Sequence, residues 1–177
     1  MSGPFHLNAI KMAVLSDDRV HRYWLVRRWN ARLLVLVVCM FNPSTANERD
    51  DDPTIKRLCA FAKRWGYGGI LVVNLHSYRS SDPSLLAALD AGESWGIAQP
   101  FAIGTAISIA VDQGTPILAA WGALADKHDA DPFFAACHGA ELICLGLTAN
   151  GSPKHPMARG KSRVPDDQEP LPYRREA

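Results

Sequence analysis

Residues that could do chemistry occur in four short segments, each of which follows an apolar run. Asn42 follows the first run, Asn74 the second and Trp121 the third, and Lys154 with His155 lies beyond the fourth. An amide can read the edge of a nucleobase, and an aromatic ring can stack on the base. A histidine can donate a hydrogen bond to a carbonyl or to its developing negative charge. These residue types suit a pocket of nucleobase size.

Three further segments add candidates. Arg79, with serines beside it, offers groups that bind phosphate, and Gly122 would allow a ligand to approach the backbone closely. The acidic run Asp50 to Asp52 places like charges side by side, which raises their pKa values, so Asp51 could serve as a general base. Asp52 is already explained as the N-cap of a helix.

Each candidate also has an ordinary structural explanation. Asn42 begins an Asn-Pro pair, which commonly starts a turn, and Asn74 could tie neighbouring loops together. Trp121 could belong to the core, Arg79 could form a surface salt bridge, and His155 could simply be solvated. The sequence leaves both explanations open at these positions.

The elements that must position these residues are four buried strands. They alternate with helical segments, which predicts parallel pairing and a three-layer α/β sandwich with a mainly parallel four-stranded sheet. The run from His21 to Trp29 predicts an edge strand, which Asn30 and Ala31 could turn back into the first buried strand as a hairpin. Ligands in such sheets bind beyond the carboxyl ends of the strands. The predicted strands are RLLVLVVCMF, ILVVNL, PILAAWG and ELICLGL.

The chain of 177 residues suits one domain with one core. We expect a lead-in over residues 1–18, a single α/β domain over 19–158 and a polar, partly disordered tail over 159–177. The formal net charge of +1 gives no global basic field, although a local basic face could still bind nucleic acid. The arginines between positions 19 and 32 are candidates for such a face, but strand alternation divides them between two sides.

Several classes of protein lose support. The four cysteines show no CxxC spacing, which disfavours zinc and fits a reducing compartment. The N-terminus lacks a signal-peptide pattern, and the longest apolar stretch is too short for a membrane helix, so we expect a cytoplasmic protein without membrane contact. Walker A, Rossmann, GxSxG and HExxH motifs do not occur. We therefore expect no metal and no cofactor.

Several separated motifs resemble known families. NPSTA, DDPT, NLHSYRSSDP, AAWG and LGLTANGSPKHP are similar, in this order, to domain-of-unknown-function family 1643 over roughly residues 20–158. MFNPSTA, VVNLHSYRSSDP, AAWGALA and GSPKHP resemble, more distantly, strand-end motifs of the uracil-DNA glycosylase-like superfamily. The sequence departs from that pattern at Phe41, which replaces a small residue, at Ser44, where glycine is common, and at Met157 and Ala158 after His-Pro.

The glycosylase resemblance implies roles for ten residues. Asn42 and Asp51 would handle a water molecule or the sugar cation, and His155 would polarise the base. The residues implied to bind the base, the phosphate or another part of the ligand are Ser44, Thr45, Asn74, Arg79, Trp121, Gly122 and Lys154.

The leading hypothesis is a protein that binds a nucleobase or nucleotide and acts on an N-glycosidic bond; a duplex substrate would require base flipping. A second hypothesis is a non-catalytic nucleic-acid or nucleotide-binding module of a phage or mobile-element DNA-modification pathway. A third is a small-molecule enzyme unrelated to nucleic acid, which the near-neutral charge favours over a duplex binder.

Overall fold

Strands and helices alternate along the chain in the computed structural model, which describes residues 9–125, 127–137 and 139–174. The strands are β1 (Ile10–Leu15), β2 (Arg22–Arg28), β3 (Val35–Met40), β4 (Gly69–Asn74), β5 (Ile117–Ala119), β6 (Leu142–Cys144) and β7 (Leu171–Pro172). The helices are α1 (Pro53–Arg64), α2 (Ala91–Trp95), α3 (Gln99–Gln113) and α4 (Lys127–Ala136), with 3₁₀ turns at Pro83–Ala88 and Gly160–Ser162. No helix of the described residues has the length and apolar character needed to cross a membrane.

All seven strands form one mixed sheet in the order β1-β2-β4-β3-β5-β6-β7. The four strands predicted from the apolar runs are its centre, and they pair in parallel. Every residue of β3 and β4 is buried, as expected where helices cover both faces of a parallel sheet. The α/β class and the parallel centre are confirmed, and the sheet is larger than predicted.

Helices cover the two faces of the sheet, and alternate residues of β3 point to each. Val37 and Cys39 pack with α3 and α4, while Leu36 and Val38 pack with α1. The predicted start of α1 is confirmed, because the Asp52 side chain accepts a hydrogen bond from the Ile55 backbone N–H at 2.9 Å.

The N-terminal hairpin differs from the prediction. β2 pairs antiparallel with β4 and not with β3, and β1 pairs antiparallel with β2 on its other side. The Trp29 and Asn30 backbone N–H groups both donate to Gly68, which directs the chain away from a tight β2–β3 turn. The hairpin is therefore formed by β1 and β2, and β1 lies within the expected lead-in. β2 is not an edge strand, since β1 covers it.

The C-terminal segment also differs from the expectation, because residues 156–169 form an ordered strap across α1. Val164 is fully buried among the side chains of that face, and the Trp65 indole N–H donates to Gln168. Arg64 forms an ion pair with Glu169 at 3.0 Å. Beyond the strap, β7 pairs with β6 and completes the sheet. Ion pairs and one buried valine thus order a segment whose composition is polar.

Candidate functional site

A cavity of about 340 Å³ opens beyond the carboxyl ends of the central strands. Its size lies within the range of small-molecule sites, about 300–1,000 Å³. Segments that follow β3, β5 and β6 form its walls, together with Pro83 from the segment after β4. The lining residues are Phe41, Asn42, Pro83, Trp121, Gly122, Ala123, Leu124, Thr148, His155, Ala158 and Ser162. Four of the predicted site residues, Asn42, Trp121, Gly122 and His155, therefore meet in one place.

Asn42 is held in place by its own amide nitrogen. Nδ2 donates to the backbone oxygen of Ser80 at 3.0 Å and to that of Pro43 at 3.1 Å, so the side chain ties two loops together. Oδ1 accepts no hydrogen bond from any described residue. The structural and the functional explanations of Asn42 are thus compatible: the nitrogen fixes the loop, and the oxygen is an acceptor with a fixed orientation.

The turn after β5 places Trp121 and Gly122 against the loop after β6. Gly122 has a φ of +87°, which L side chains rarely adopt, and a Cβ built there would lie 3.1 Å from the Cβ of His155. Its backbone N–H donates to Pro153 at 2.9 Å. Trp121 is 4% exposed and packs edge-on against Phe133 at 5.6 Å, so its ring is mostly core and lines the cavity with a small part of its surface.

His155 is a neutral hydrogen-bond donor in this site. Burial lowers its pKa to about 4, against a weaker opposing effect of the Asp52 carboxylate. The backbone N–H of Met157 donates to Nδ1 at 3.0 Å, so Nδ1 carries no proton and the neutral ring is protonated on Nε2. Nε2 has no partner among the described residues. The imidazole can therefore donate to a ligand but is a poor base in this setting.

The cavity lining is uncharged. None of the residues that line it is Lys, Arg, Asp or Glu, as far as the chain is described. The polar groups are the Asn42 acceptor, the His155 donor and the hydroxyls of Thr148 and Ser162, set among apolar side chains. Within the described residues no group of three or more His, Cys, Asp or Glu is placed to hold a metal ion. The arrangement offers an uncharged ligand one acceptor and one donor with fixed orientations.

Asp51 does not line the cavity. Its carboxylate accepts hydrogen bonds from the Arg27 Nε on one oxygen and from the Lys11 Nζ at 2.9 Å on the other. Burial raises the pKa of Asp51, but these two hydrogen bonds and the accompanying charges outweigh it and leave the pKa lowered. The expectation that the acidic run raises the pKa of Asp51 is therefore wrong. The hydrogen bonds from Arg27 and Lys11 give the Asp51 carboxylate a structural role.

Asn74 is sealed beneath the site. It is 1% exposed, its Oδ1 accepts from Arg22 at 3.4 Å, and its backbone oxygen accepts from the Gln99 amide. Arg22 is 2% exposed, and burial lowers its pKa to about 10. Asn74 cannot read a base edge in this position, because it is buried outside the cavity lining, and its Nδ2 has no hydrogen-bond partner among the described residues.

The other predicted binding residues also lie outside the cavity lining. Arg79 donates to the backbone oxygens of Arg19 and Thr45, so it clamps two loops. Thr45 itself is exposed and Ser44 is half-buried. Lys154 extends over Gly146, beside His155 in sequence but not on the cavity wall. These four residues surround the site without forming it.

Some residues of the site were not predicted from the sequence. Thr148 and Ser162 line the cavity, but hydroxyls in loops give no distinctive signal. His76 lies behind Phe41, with ring centroids 5.1 Å apart, and its Nε2 is 2.9 Å from Asp129. The histidine is part of the NLHSYRSSDP motif, whereas its partner is in α4 and could not be paired with it from the sequence.

Comparisons with known proteins give the family and nothing finer. No curated protein and no solved structure matches the chain significantly, so the uracil-DNA glycosylase resemblance stays a prediction. Residues 22–157 match the family described as "Protein of unknown function (DUF1643)". This stretch contains β2 to β6 and most of the cavity walls, and it covers more than half of the sequence. The chain therefore belongs to the DUF1643 family.

Proposed function

We propose that this protein binds a nucleobase in the cavity beyond the carboxyl edge of the sheet. The observation that carries the proposal is that Asn42 and His155 line one uncharged cavity with opposite hydrogen-bonding characters. Asn42 Oδ1 would accept from an N–H of the base, and His155 Nε2 would donate to a carbonyl oxygen or a ring nitrogen. The apolar walls would enclose the faces of the ring.

Calorimetric titration with free nucleobases and nucleosides tests the proposal. Because a hydrogen bond contributes about 1 kcal/mol, Asn42→Ala and His155→Ala should each weaken binding about fivefold to tenfold. Thr45→Ala is the matched control, since Thr45 is exposed near Asn42 but outside the cavity. Affinity is calculated per folded molecule, because Asn42 also ties two loops together. The absence of binding by every base, or wild-type affinity in both cavity variants, would contradict the proposal.

A second candidate function is hydrolysis of an N-glycosidic bond, and the fixed donor of His155 favours it. Water oriented by Asn42 Oδ1 would add its oxygen to the sugar anomeric carbon as the bond to the base breaks. The electron pair leaves with the base, where a hydrogen bond from His155 Nε2 stabilises the negative charge. The proton lost by the water passes to the departing base or to solvent. Neither side chain needs to change its protonation state.

Base release separates these two functions. Oligonucleotides carrying different modified bases are incubated with the protein, and abasic sites are measured by alkaline cleavage. If the protein is a hydrolase, His155→Ala should lower the rate about 100-fold, as expected when a preorganised donor to the leaving group is removed. Binding without base release from any substrate would identify a binding module instead, and the cavity proposal would still stand.

A further inference from the structure

A row of basic side chains, Arg159, Lys161 and Arg163, lies on the strap segment that forms part of the cavity wall. The strap lines the cavity through Ala158 and Ser162, and Arg159, Lys161 and Arg163 are exposed beside or between these two residues. Together they give the sequence ARGKSR at one wall. The cations are therefore adjacent to an uncharged cavity without being part of its lining.

These side chains are not engaged by acidic groups. Within the described part of the chain, no ion pair involves Arg159, Lys161 or Arg163. Arg163 borders a shallow recess with Asp166 and Asp167, which offsets part of its charge. Of the three side chains in the basic row, Arg159 and Lys161 are thus the ones most available to a ligand.

The strap is anchored on both sides of this row. Pro156 is buried before it, and Val164 is fully buried after it. Arg57 on α1 donates to the backbone oxygen of Val164 and forms an ion pair with Asp166 at 2.8 Å. A 3₁₀ turn at Gly160–Ser162 fixes the backbone between the anchors. These contacts therefore fix the backbone of the basic row beside the cavity wall.

The arginines of the β2 region do not offer a comparable surface. Arg22 and Arg27 are 2% and 3% exposed, and their guanidinium groups are bonded to neighbouring loops. Arg28 donates to the backbone oxygens of Ala31 and Leu33, and Arg19 is paired with Glu48. The guanidinium groups of these four arginines bond to other parts of the chain, in contrast to the basic row on the strap.

We propose that the basic row binds the phosphate backbone of a single-stranded nucleic acid whose base occupies the cavity. The inference rests on the proposed nucleobase-binding function and names its substrate class: a base within a strand, not a free base. An uncharged cavity with exposed basic side chains on the adjoining strap matches a ligand whose charge lies outside the base. A single strand is favoured over a duplex, because its base can enter without breaking a base pair.

The experiment measures binding of labelled single-stranded DNA and RNA of about 12 nucleotides by fluorescence anisotropy. Wild type is compared with Arg159→Ala/Lys161→Ala over sodium chloride concentrations from about 50 to 200 mM. The control is Arg32→Ala/Arg49→Ala, which removes two exposed cations away from the cavity lining and the strap. A duplex of the same length is the competing ligand, and thermal unfolding checks that both double variants are folded.

We expect the strap variant to bind either type of single strand about tenfold more weakly at low salt. The slope of log affinity against log salt should decrease in magnitude by about 1.4, or 0.7 for each lost phosphate contact. The control should retain the wild-type slope. Equal slopes for the strap variant and wild type, absence of single-strand binding, or tighter binding of the duplex would overturn the inference.

The two proposals fail in different ways. Binding of free nucleosides that depends on Asn42 and His155, without strand binding, overturns the strap inference and keeps the cavity function. Strand binding that depends on Arg159 and Lys161, but not on the cavity residues, supports the strap as a backbone-binding surface and overturns the nucleobase cavity.

Discussion

Two regions of the molecule use polar residues in opposite ways. One is the cavity of Asn42 and His155, which is uncharged and open, with one unused acceptor and one unused donor. The other is the network around Arg27 and Asp51, which is charged, closed and extensively bonded. The Arg27 guanidinium donates both to Asp51 and to backbone oxygens of the loop that follows β3.

The difference lies in where the charged groups are: the network contains them, and the described cavity lining has none. The acidic run and the buried arginines are the conspicuous features of the sequence, yet Asp51 and Arg27 bond to partners within the fold. A charge leaves water only if partners replace the lost hydration, and the network supplies those partners. The cavity keeps unpaired groups that are neutral, which tolerate partial burial at a lower cost. The network should therefore control stability, and the cavity should control binding.

The largest effect should follow from Arg27→Met, which removes the centre of the network. The variant removes the five hydrogen bonds that the guanidinium group donates, to Asp51 and to four backbone oxygens, and at about 1 kcal/mol for each bond the loss should be about 3 to 5 kcal/mol. Urea unfolding measures this loss, and nucleobase affinity per folded molecule should not change. Arg32→Ala, at an exposed arginine, should cost less than about 0.5 kcal/mol. A small loss for Arg27→Met would contradict the division between the two regions.

The next largest effect concerns the pH dependence of stability through His155. Its pKa falls from 6.5 to about 4 on folding, so the unfolded chain binds a proton that the folded protein excludes. The contribution to stability is fully present above about pH 6.5, is lost as the pH falls towards about 4, and amounts to about 3 kcal/mol. Urea unfolding from pH 7 to 4 should show this loss in wild type but not in His155→Gln.

The control for this measurement is His128→Gln, because the His128 side chain is largely exposed on α4. That variant should follow the wild-type pH curve. If His155→Gln also follows the wild-type curve, the pKa of His155 does not fall on folding, and the imidazole takes up its proton near pH 6.5 as in an unfolded chain. The site would then present a cation in mildly acidic solution, and the comparison between a neutral cavity and a charged network would fail there.

A smaller effect is expected at the glycine that brings the two loops together. Gly122→Ala forces alanine into a positive φ, at a cost of about 1 to 2 kcal/mol, and pushes its Cβ against His155. Gly114→Ala is a matched control, since its φ is +62° and a Cβ there has no neighbour within 4 Å. Both variants should lose similar stability, but only Gly122→Ala should lose nucleobase affinity. Equal affinities would show that the position of His155 does not matter for binding.

The centre of the fold follows from local sequence signals, and its edges do not. The apolar runs predict β3 and β4 because both are buried on both faces, and the Asp52-Pro53 pair predicts the start of α1. β1 carries no comparable signal, since most of its residues are exposed. The strap depends on ion pairs such as Arg64–Glu169, whose partners are 105 residues apart. Such long-range pairs leave no periodic pattern in the sequence.

The residues of the candidate site also differ in whether the sequence alone predicts their positions. Asn42, Trp121, Gly122 and His155 were predictable as neighbours, because parallel strands place their carboxyl ends at one edge of the sheet. The structural role of Asp51 was not predictable, because the partners of its carboxylate come from β1 and β2. Lys11, one of these partners, is 40 residues away and lies in a segment without a recognisable pattern.

The smallest effect should follow from Asp51→Asn, which tests the network from its acidic side. The asparagine Oδ1 can still accept from the Arg27 Nε, and Arg27 keeps its four backbone acceptors, so loss of the Asp51 charge should cost about 1 kcal/mol at neutral pH. Its pKa is lowered on folding, so its contribution is present above the pKa of an unfolded aspartate, near 3.9, and is lost as the pH falls through the folded value. Lys11→Gln, which removes one partner, should show a similar small loss. Nucleobase affinity and any base release should equal those of wild type in both variants. If Asp51→Asn abolished base release in a folded protein, the charged network would be part of the catalytic machinery, and chemistry and charge would not be separate here.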